Sequence, residues 1–332
     1  MIDNPLKAQR DGATTMQINH DRQRLLMCWI IEFRFTTWQI AIDLLGMKQS
    51  NGYRWLGKMA DMGLIEPVEA ILGGRLMVLT AKGLKAAVSG SFVPDGTTRT
   101  TPAMITGSLS VLHDLNVQRC VITRMKQSRY HVASVSSAAS LGQAKNGLRP
   151  DALIEYQVNA DKPAMIEAIE FERTAKSRGR VYGLLGQYQR AMKKGLCNQV
   201  IFVFDDLRVA KLYVSIYQED EWPVVKKTAS GQVKKTGTTY TPDQAIKLAM
   251  RLSRLANLGE LKERDPYWPE PGLVEDDDSW NESTEAEGRL ASPPTVALQV
   301  DADPAVTEPS EGVDRSSPDQ PTTTGWRSWF KG

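Results

Sequence analysis

RPDALIEYQVNADKPAMIEAIEFERTAKS, residues 149–177, is the stretch from which the rest of the chain can be read. Two apolar runs, Ala152–Val158 and Met165–Glu172, read as strands separated by a polar, proline-containing connection. Side chains two apart on a strand project from the same face, so Glu170 and Glu172 point together. With Asp151 at the adjoining edge of the paired strand, three carboxylates converge. An all-oxygen cluster of this kind suits Mg²⁺ or Mn²⁺. Such an ion can activate water and stabilise charge on a phosphodiester during in-line displacement. Lys176 and Arg180 follow the second strand, within reach of a scissile phosphate. The alternative is that Glu167, Glu170 and Glu172 are solvated acids with Arg173 and Lys176 as surface partners, pairs worth little. Ile166, Ala168, Ile169 and Phe171 leave no clean polar face, which counts partly against it.

Outward from this stretch, residues 103–256 read as one α/β domain. A helix is expected over Ala103–Val117, a strand over Tyr130–Val135, a helix over Arg180–Lys194, strands over Val200–Phe204 and Lys211–Ile216, and a helix over Thr241–Leu255. His113 and Asp114 lie in the first of these helices and would add a ligand or a proton carrier to the acids; a purely structural histidine is the alternative. Tyr182 and Tyr188, six apart on one helix, point in different directions, about 120° apart round its axis, which disfavours a paired tyrosine site.

Residues 20–88 have a different pattern. Leu25, Leu26, Trp29, Ile30 and Phe33 form one helical face from Asp21 onward, and Thr36 or Thr37 can cap a second helix, Trp38–Leu45. A third helix carries Tyr53, Trp55, Leu56, Met59 and Met62 and stops at Gly63, a residue suited to a left-handed cap. Leu64–Ile65 and Leu76–Leu79 then read as short strands around a Gly73–Gly74 turn. The order of three helices and a hairpin is that of a winged helix-turn-helix, whose third helix enters the major groove while its hairpin touches flanking backbone. Asn51, Arg54 and Lys58 share one face of that helix, and Arg75 lies on the hairpin. All four are candidate DNA contacts, with Arg149 and Arg180 beside the acids. A Gly/Ser/Thr/Pro-rich segment, 89–102, reads as the linker.

The net charge of +2 conceals a division. Residues 257–332 hold 6 Lys/Arg and 17 Asp/Glu, so residues 1–256 hold 35 basic and 22 acidic residues. A basic body displaces counterions from nucleic-acid phosphates, and the acidic remainder, rich in proline, reads as a disordered tail. The tail ends in Trp326, Trp329 and Phe330, aromatics that fit a short docking peptide for a coupling or accessory protein. Cys28, Cys120 and Cys197 are too dispersed for a disulfide framework or a zinc site and read as buried thiols in a reducing, cytoplasmic setting. No apolar run approaches bilayer length and no secretory leader opens the chain, so membrane insertion is not expected.

Arg149-Pro150-Asp151, then Glu170-x-Glu172, Arg173-Thr174-x-Lys176-Ser177 and Tyr188, with His113-Asp114-Leu115-Asn116-Val117 upstream, resemble the replication-relaxation family of plasmid and integrative-element proteins, which includes mobilisation-C class relaxases. The resemblance covers roughly residues 20–215 and is strongest over 109–204. It implies a winged helix joined to a restriction-endonuclease-like α/β domain, with Asp151 and Glu170 as metal-binding acids. At Glu172 the chain departs from the family's commoner Lys, leaving Lys176 as the substitute cation. The histidine triplet that tyrosine relaxases use for metal is absent, there being only His20, His113 and His131. The implied function is site-specific DNA nicking at a transfer origin. Its rival is a non-catalytic DNA-binding regulator of plasmid replication or mobilisation that keeps the nuclease fold as a scaffold. A weaker third reading is an adaptor that docks a coupling protein through its terminal aromatics.

Overall fold

The computed structural model describes residues 14–70, 74–106, 110–141, 148–157, 164–228 and 233–260. Gly73, at the centre of the expected hairpin turn, and the acidic tail from residue 261, with Trp326, Trp329 and Phe330, lie outside the described residues. The chain is a mixed α/β protein built on a five-stranded mixed sheet.

It begins with helices α1 (Thr15–Phe33), α2 (Trp38–Leu44) and α3 (Gln49–Asp61). Helix α1 starts six residues before the expected Asp21, because Thr14 and Gln17 form a capping box. Thr37 caps α2, its hydroxyl accepting from the Ile40 amide at 3.2 Å. Gly63 takes φ 67° just past α3, as its left-handed role requires. Strands β1 (Ile65–Ala70) and β2 (Gly74–Leu79) pair antiparallel, and α4 (Ala81–Ser89) follows. Gly83 admits no side chain, since a Cβ there would stand 2.0 Å from the Leu64 carbonyl oxygen. Residues 89–102 are not a free linker: Phe92 and Val93 are buried, and Arg99 bonds Glu66 and the Leu79 carbonyl. Their Gly/Ser/Thr content serves local turns on the surface of this first segment.

The expected helix Ala103–Val117 is two helices, a short α5 (Pro102–Thr106) and α6 (Val111–Gln127). The sheet consists of β3 (His131–Ser137), β4 (Ala152–Gln157), β5 (Met165–Glu172), β6 (Gln199–Phe204) and β9 (Met250–Arg254), in that order. Strands β3, β4 and β5 are an antiparallel meander, and β6 and β9 continue parallel to β5. The short α7 (Ala138–Leu141) follows β3. One sheet face, with Ile154, Ile169, Phe171, Ile201 and Val203, packs on α6. The other, with Ala168, Val200, Phe202 and Phe204, packs on α8 (Arg178–Lys193), α9 (Leu207–Tyr217) and α10 (Gln244–Ala249).

Three expectations change here. Lys211–Ile216 is part of α9, not a strand: Val209, Ala210, Tyr213 and Ile216 are buried at helical spacing. The helix expected over Thr241–Leu255 breaks at Met250, where the chain becomes β9 and pairs with the open edge of β6. An unanticipated antiparallel ribbon, β7 (Trp222–Lys227) and β8 (Val233–Tyr240), lies between α9 and α10. Leu258 is also buried, so the core continues past residue 256.

The three-helix segment and the sheet share one core, which contains Trp29, Phe33, Ile40 and Leu44 together with Leu115, Val117 and Phe171. Polar contacts fix the joint. Trp29 Nε1 donates to Gln118 Oε1 at 2.9 Å, and Gln118 Nε2 donates to the Phe35 carbonyl at 2.9 Å. Arg34 pairs with Asp114 at 3.0 Å. The buried Glu32 accepts from the Ser137 amide and the Ser140 hydroxyl. Burial raises the Glu32 pKa, partly countered by these donors. No helix among the described residues is long and apolar enough to cross a membrane.

Candidate functional site

The candidate site lies at one end of the sheet, where β4 begins and β5 ends. Asp151 immediately precedes β4, and its amide donates to the Ile169 carbonyl at 3.1 Å, so the residue is held against β5. One Asp151 oxygen accepts from the Phe171 amide at 2.7 Å and the other lies 3.0 Å from His113 Nε2. His113 comes from the first turn of α6, its ring centroid 5.7 Å from that of Phe171. Burial works against the imidazolium, but the Asp151 bond and charge, with Asp114 and Glu172, outweigh it and raise the His113 pKa.

Glu170 and Glu172 project together from β5, as alternation requires, toward α8 and α9. Both are buried, so the solvated alternative does not hold for them, nor for Glu167. Tyr188 of α8 donates to Glu170 at 2.5 Å, and Tyr213 of α9 donates to Glu172 at 2.8 Å. Lys176 bonds the same Glu172 oxygen from the turn before α8. Burial, reinforced by the charges of Asp151 and Glu172, raises the Glu170 pKa well above the ordinary carboxylate value, against the Tyr188 bond and Lys176. The shift favours the uncharged form of Glu170, the acid of the cluster that is most deeply removed from water.

Five expected groups thus come together from three stretches of chain: His113, Asp151, Glu170, Glu172 and Lys176. Arg149 does not join them, because its guanidinium bonds the Ala138 carbonyl and pins the end of β3. Arg180 is exposed in the first turn of α8. Tyr213 was missed because its segment reads as a strand. Neither Tyr188 nor Tyr213 has the character of a nucleophile. Each is 0% exposed, and burial followed by the neighbouring acid pushes each phenol above its usual range.

The donor set has the chemistry of a hard-cation site, being oxygen ligands with uncompensated charge. Among the described residues, however, no group of three or more His, Cys, Asp or Glu is arranged to hold a metal ion. The acids are turned instead toward the tyrosines, Lys176, His113 and the Phe171 amide. An ion would have to take over part of what these donors now supply.

On the first segment, Asn51, Arg54 and Lys58 are exposed along one face of α3, while Leu56 and Met59 are buried behind them. Arg75 is exposed on β2, 3.9 Å from Glu69. Helix α6 connects the two regions. His113 meets Asp151, while the next residue, Asp114, holds Arg34 at the end of α1. No protein-family model, curated protein or solved structure matches the chain.

Proposed function

We propose that the chain is a DNA-nicking protein of the relaxase type, acting at a transfer origin, in which a winged helix delivers duplex DNA to a restriction-endonuclease-like acid site. The observation that carries this reading is the meeting of Asp151, Glu170, Glu172, Lys176 and His113 at one end of the sheet. The meander β3–β4–β5 followed by α8 and the parallel β6 supports the nuclease-like assignment, and α1–α2–α3 followed by β1–β2 supports the winged helix. The exposed row of Asn51, Arg54 and Lys58 supplies a face able to meet base edges and phosphates.

Asp151, Glu170 and Glu172 would hold Mg²⁺ or Mn²⁺. When bound, such an ion supplies an activated water and charge stabilisation for a phosphodiester. Because the Glu170 pKa is raised, ion binding there would compete with protons and weaken as pH falls. Lys176, which bonds Glu172, would be the cation placed to steady the phosphate. His113, oriented by Asp151, is placed to carry a proton. The test is nicking of supercoiled plasmid bearing the transfer origin, with Mn²⁺ or Mg²⁺. The expected result is an open-circular product from the wild type and none from Asp151→Asn, Glu170→Gln or Glu172→Gln, all three still binding DNA. Equal nicking by all three variants would overturn the assignment.

A second reading is favoured by the protein donors that already engage each acid. In it the chain binds DNA without cutting it, regulating replication or mobilisation, and the acid cluster is a scaffold. Site-specific binding without nicking under any divalent metal would select it.

A further inference from the structure

The ribbon β7–β8 is anchored firmly at its base. Trp222 is buried, its Nε1 donates to the Ile216 carbonyl at 3.0 Å, and its ring meets Tyr240 edge-on at 6.3 Å. The ribbon lies over Gly179, Gly183 and Gly186, which share one face of α8. A methyl group on Gly183 would stand 3.3 Å from Val225 Cγ2, and one on Gly186 would stand 3.1 Å from the Tyr240 hydroxyl. Glycines weaken a helix interior, and here they let ribbon side chains, Val225 and Tyr240, seat close against α8.

What the ribbon presents outward is basic. Residues 234–239 are all exposed, and Lys226 stands directly opposite Lys234, which places both on the face away from Val225 and α8. Like charges opposite one another destabilise a strand pair. Among the described residues, neither of these two forms an ion pair; Lys235, opposite Val225, is on the α8 side of the ribbon and rests 5.2 Å above the Tyr182 ring. Thr236 and Thr238 add exposed hydroxyls 2.8 Å apart. Val233, beside Lys234, packs at Gly179 in the first turn of α8, three residues after the Lys176 that touches Glu172. The lysines therefore stand at the end of α8 that adjoins the acid site.

We propose that the β7–β8 ribbon is a second duplex-DNA contact, in which Lys226 and Lys234, on its outer face, grip the sugar–phosphate backbone beside the acid cluster. A two-stranded ribbon has the width and rigidity to lie along or in the major groove. The inference rests on the reading that the chain acts on DNA and adds a contact independent of α3. Lysines on free strand edges also guard against aggregation, and that role alone would leave DNA affinity untouched.

The experiment uses the full chain and a fluorescent random-sequence duplex, with affinity measured over a range of KCl. The double variant Lys226→Gln, Lys234→Gln is expected to flatten the slope of log affinity against log salt by about two, roughly one for each phosphate that a lysine no longer neutralises. Affinity at physiological salt should then fall on the order of 30-fold. Because the double variant relieves a like-charge pair, it guards against a folding artefact. Arginine at the two positions should restore the slope. Lys193→Gln with Lys194→Gln, exposed at the far end of α8, should leave it unchanged. A wild type that binds duplex steeply with salt, beside a double variant of unchanged slope, overturns the inference and leaves the DNA reading standing. A wild type that binds no duplex overturns both.

Discussion

Of the three buried acids on strand β5, Glu167 and Glu170 stand on opposite faces and are compensated in opposite ways. Glu167, on the α6 side, is fully buried and meets Arg124 through two bonds, Nε to Oε1 and Nη2 to Oε2, each 3.0 Å. Tyr156 and Gln199 add further donors. Glu170, on the α8 side, has the Tyr188 hydroxyl and faces the charges of Asp151 and Glu172. A structural acid is supplied with its own permanent cation. An acid without one is shifted toward its uncharged form. Burial is common to both, so it does not distinguish them; the source of the compensating charge does.

Breaking the Arg124 side gives the largest effect. Arg124→Met should cost about 3–5 kcal/mol, because Glu167 is left as an unpaired buried charge. Urea denaturation measures it, and adding Glu167→Gln should recover much of the loss. An Arg124→Met loss below about 1 kcal/mol would mean that water reaches Glu167.

Glu170→Gln should act in the opposite direction, with a gain on the order of 1 kcal/mol at pH 8, since an amide keeps an acceptor for Tyr188 without the charge. The sign follows from linkage. The Glu170 pKa is raised in the folded state, so the wild type is most favoured below the unfolded value of 4.5 and loses stability as pH rises through the folded value. His113 acts in the same sense: its raised pKa gives stability that is full below 6.5 and is lost as pH rises through the folded value. Thermal melts from pH 4 to 9 should show the wild type declining and Glu170→Gln declining less. Parallel curves would remove Glu170 as the titrating group. Tyr188→Phe is smaller still, a loss of roughly 1 kcal/mol from one missing hydrogen bond. It should be greatest at high pH, where Glu170 is charged.

How much of this was legible in the sequence differs between the regions for physical reasons. Asp151, Glu170 and Glu172 were visible because strand alternation is a local rule and a polar residue interrupting an apolar run stands out. The face of Asn51, Arg54 and Lys58, a threonine cap at 36 or 37 and the Gly63 stop were visible for the same reason. Tyr213 was not, because Lys211–Ile216 is short, β-branched and aromatic, a composition shared by strands and buried helices. The ribbon β7–β8 was hidden because nearly every β8 residue is exposed, which leaves no alternation to detect. Strand β9 continues an apolar run from α10, and only the open edge of β6 turns it into a strand. The joint made by Arg34, Trp29 and Gln118 spans 80 to 89 residues of chain, and contacts that long leave no local signature.

The proposed site stands or falls on whether Asp151, Glu170 and Glu172 share a divalent cation. Calorimetric titration of the DNA-free chain with Mn²⁺ near neutral pH, in two buffers of different ionisation heat, counts the protons released per ion bound. The account predicts saturable binding with net proton release, weaker as pH falls, and loss of both binding and release in Asp151→Asn and in Glu170→Gln. Absence of Mn²⁺ binding across this range, or binding unchanged in both variants, would contradict it.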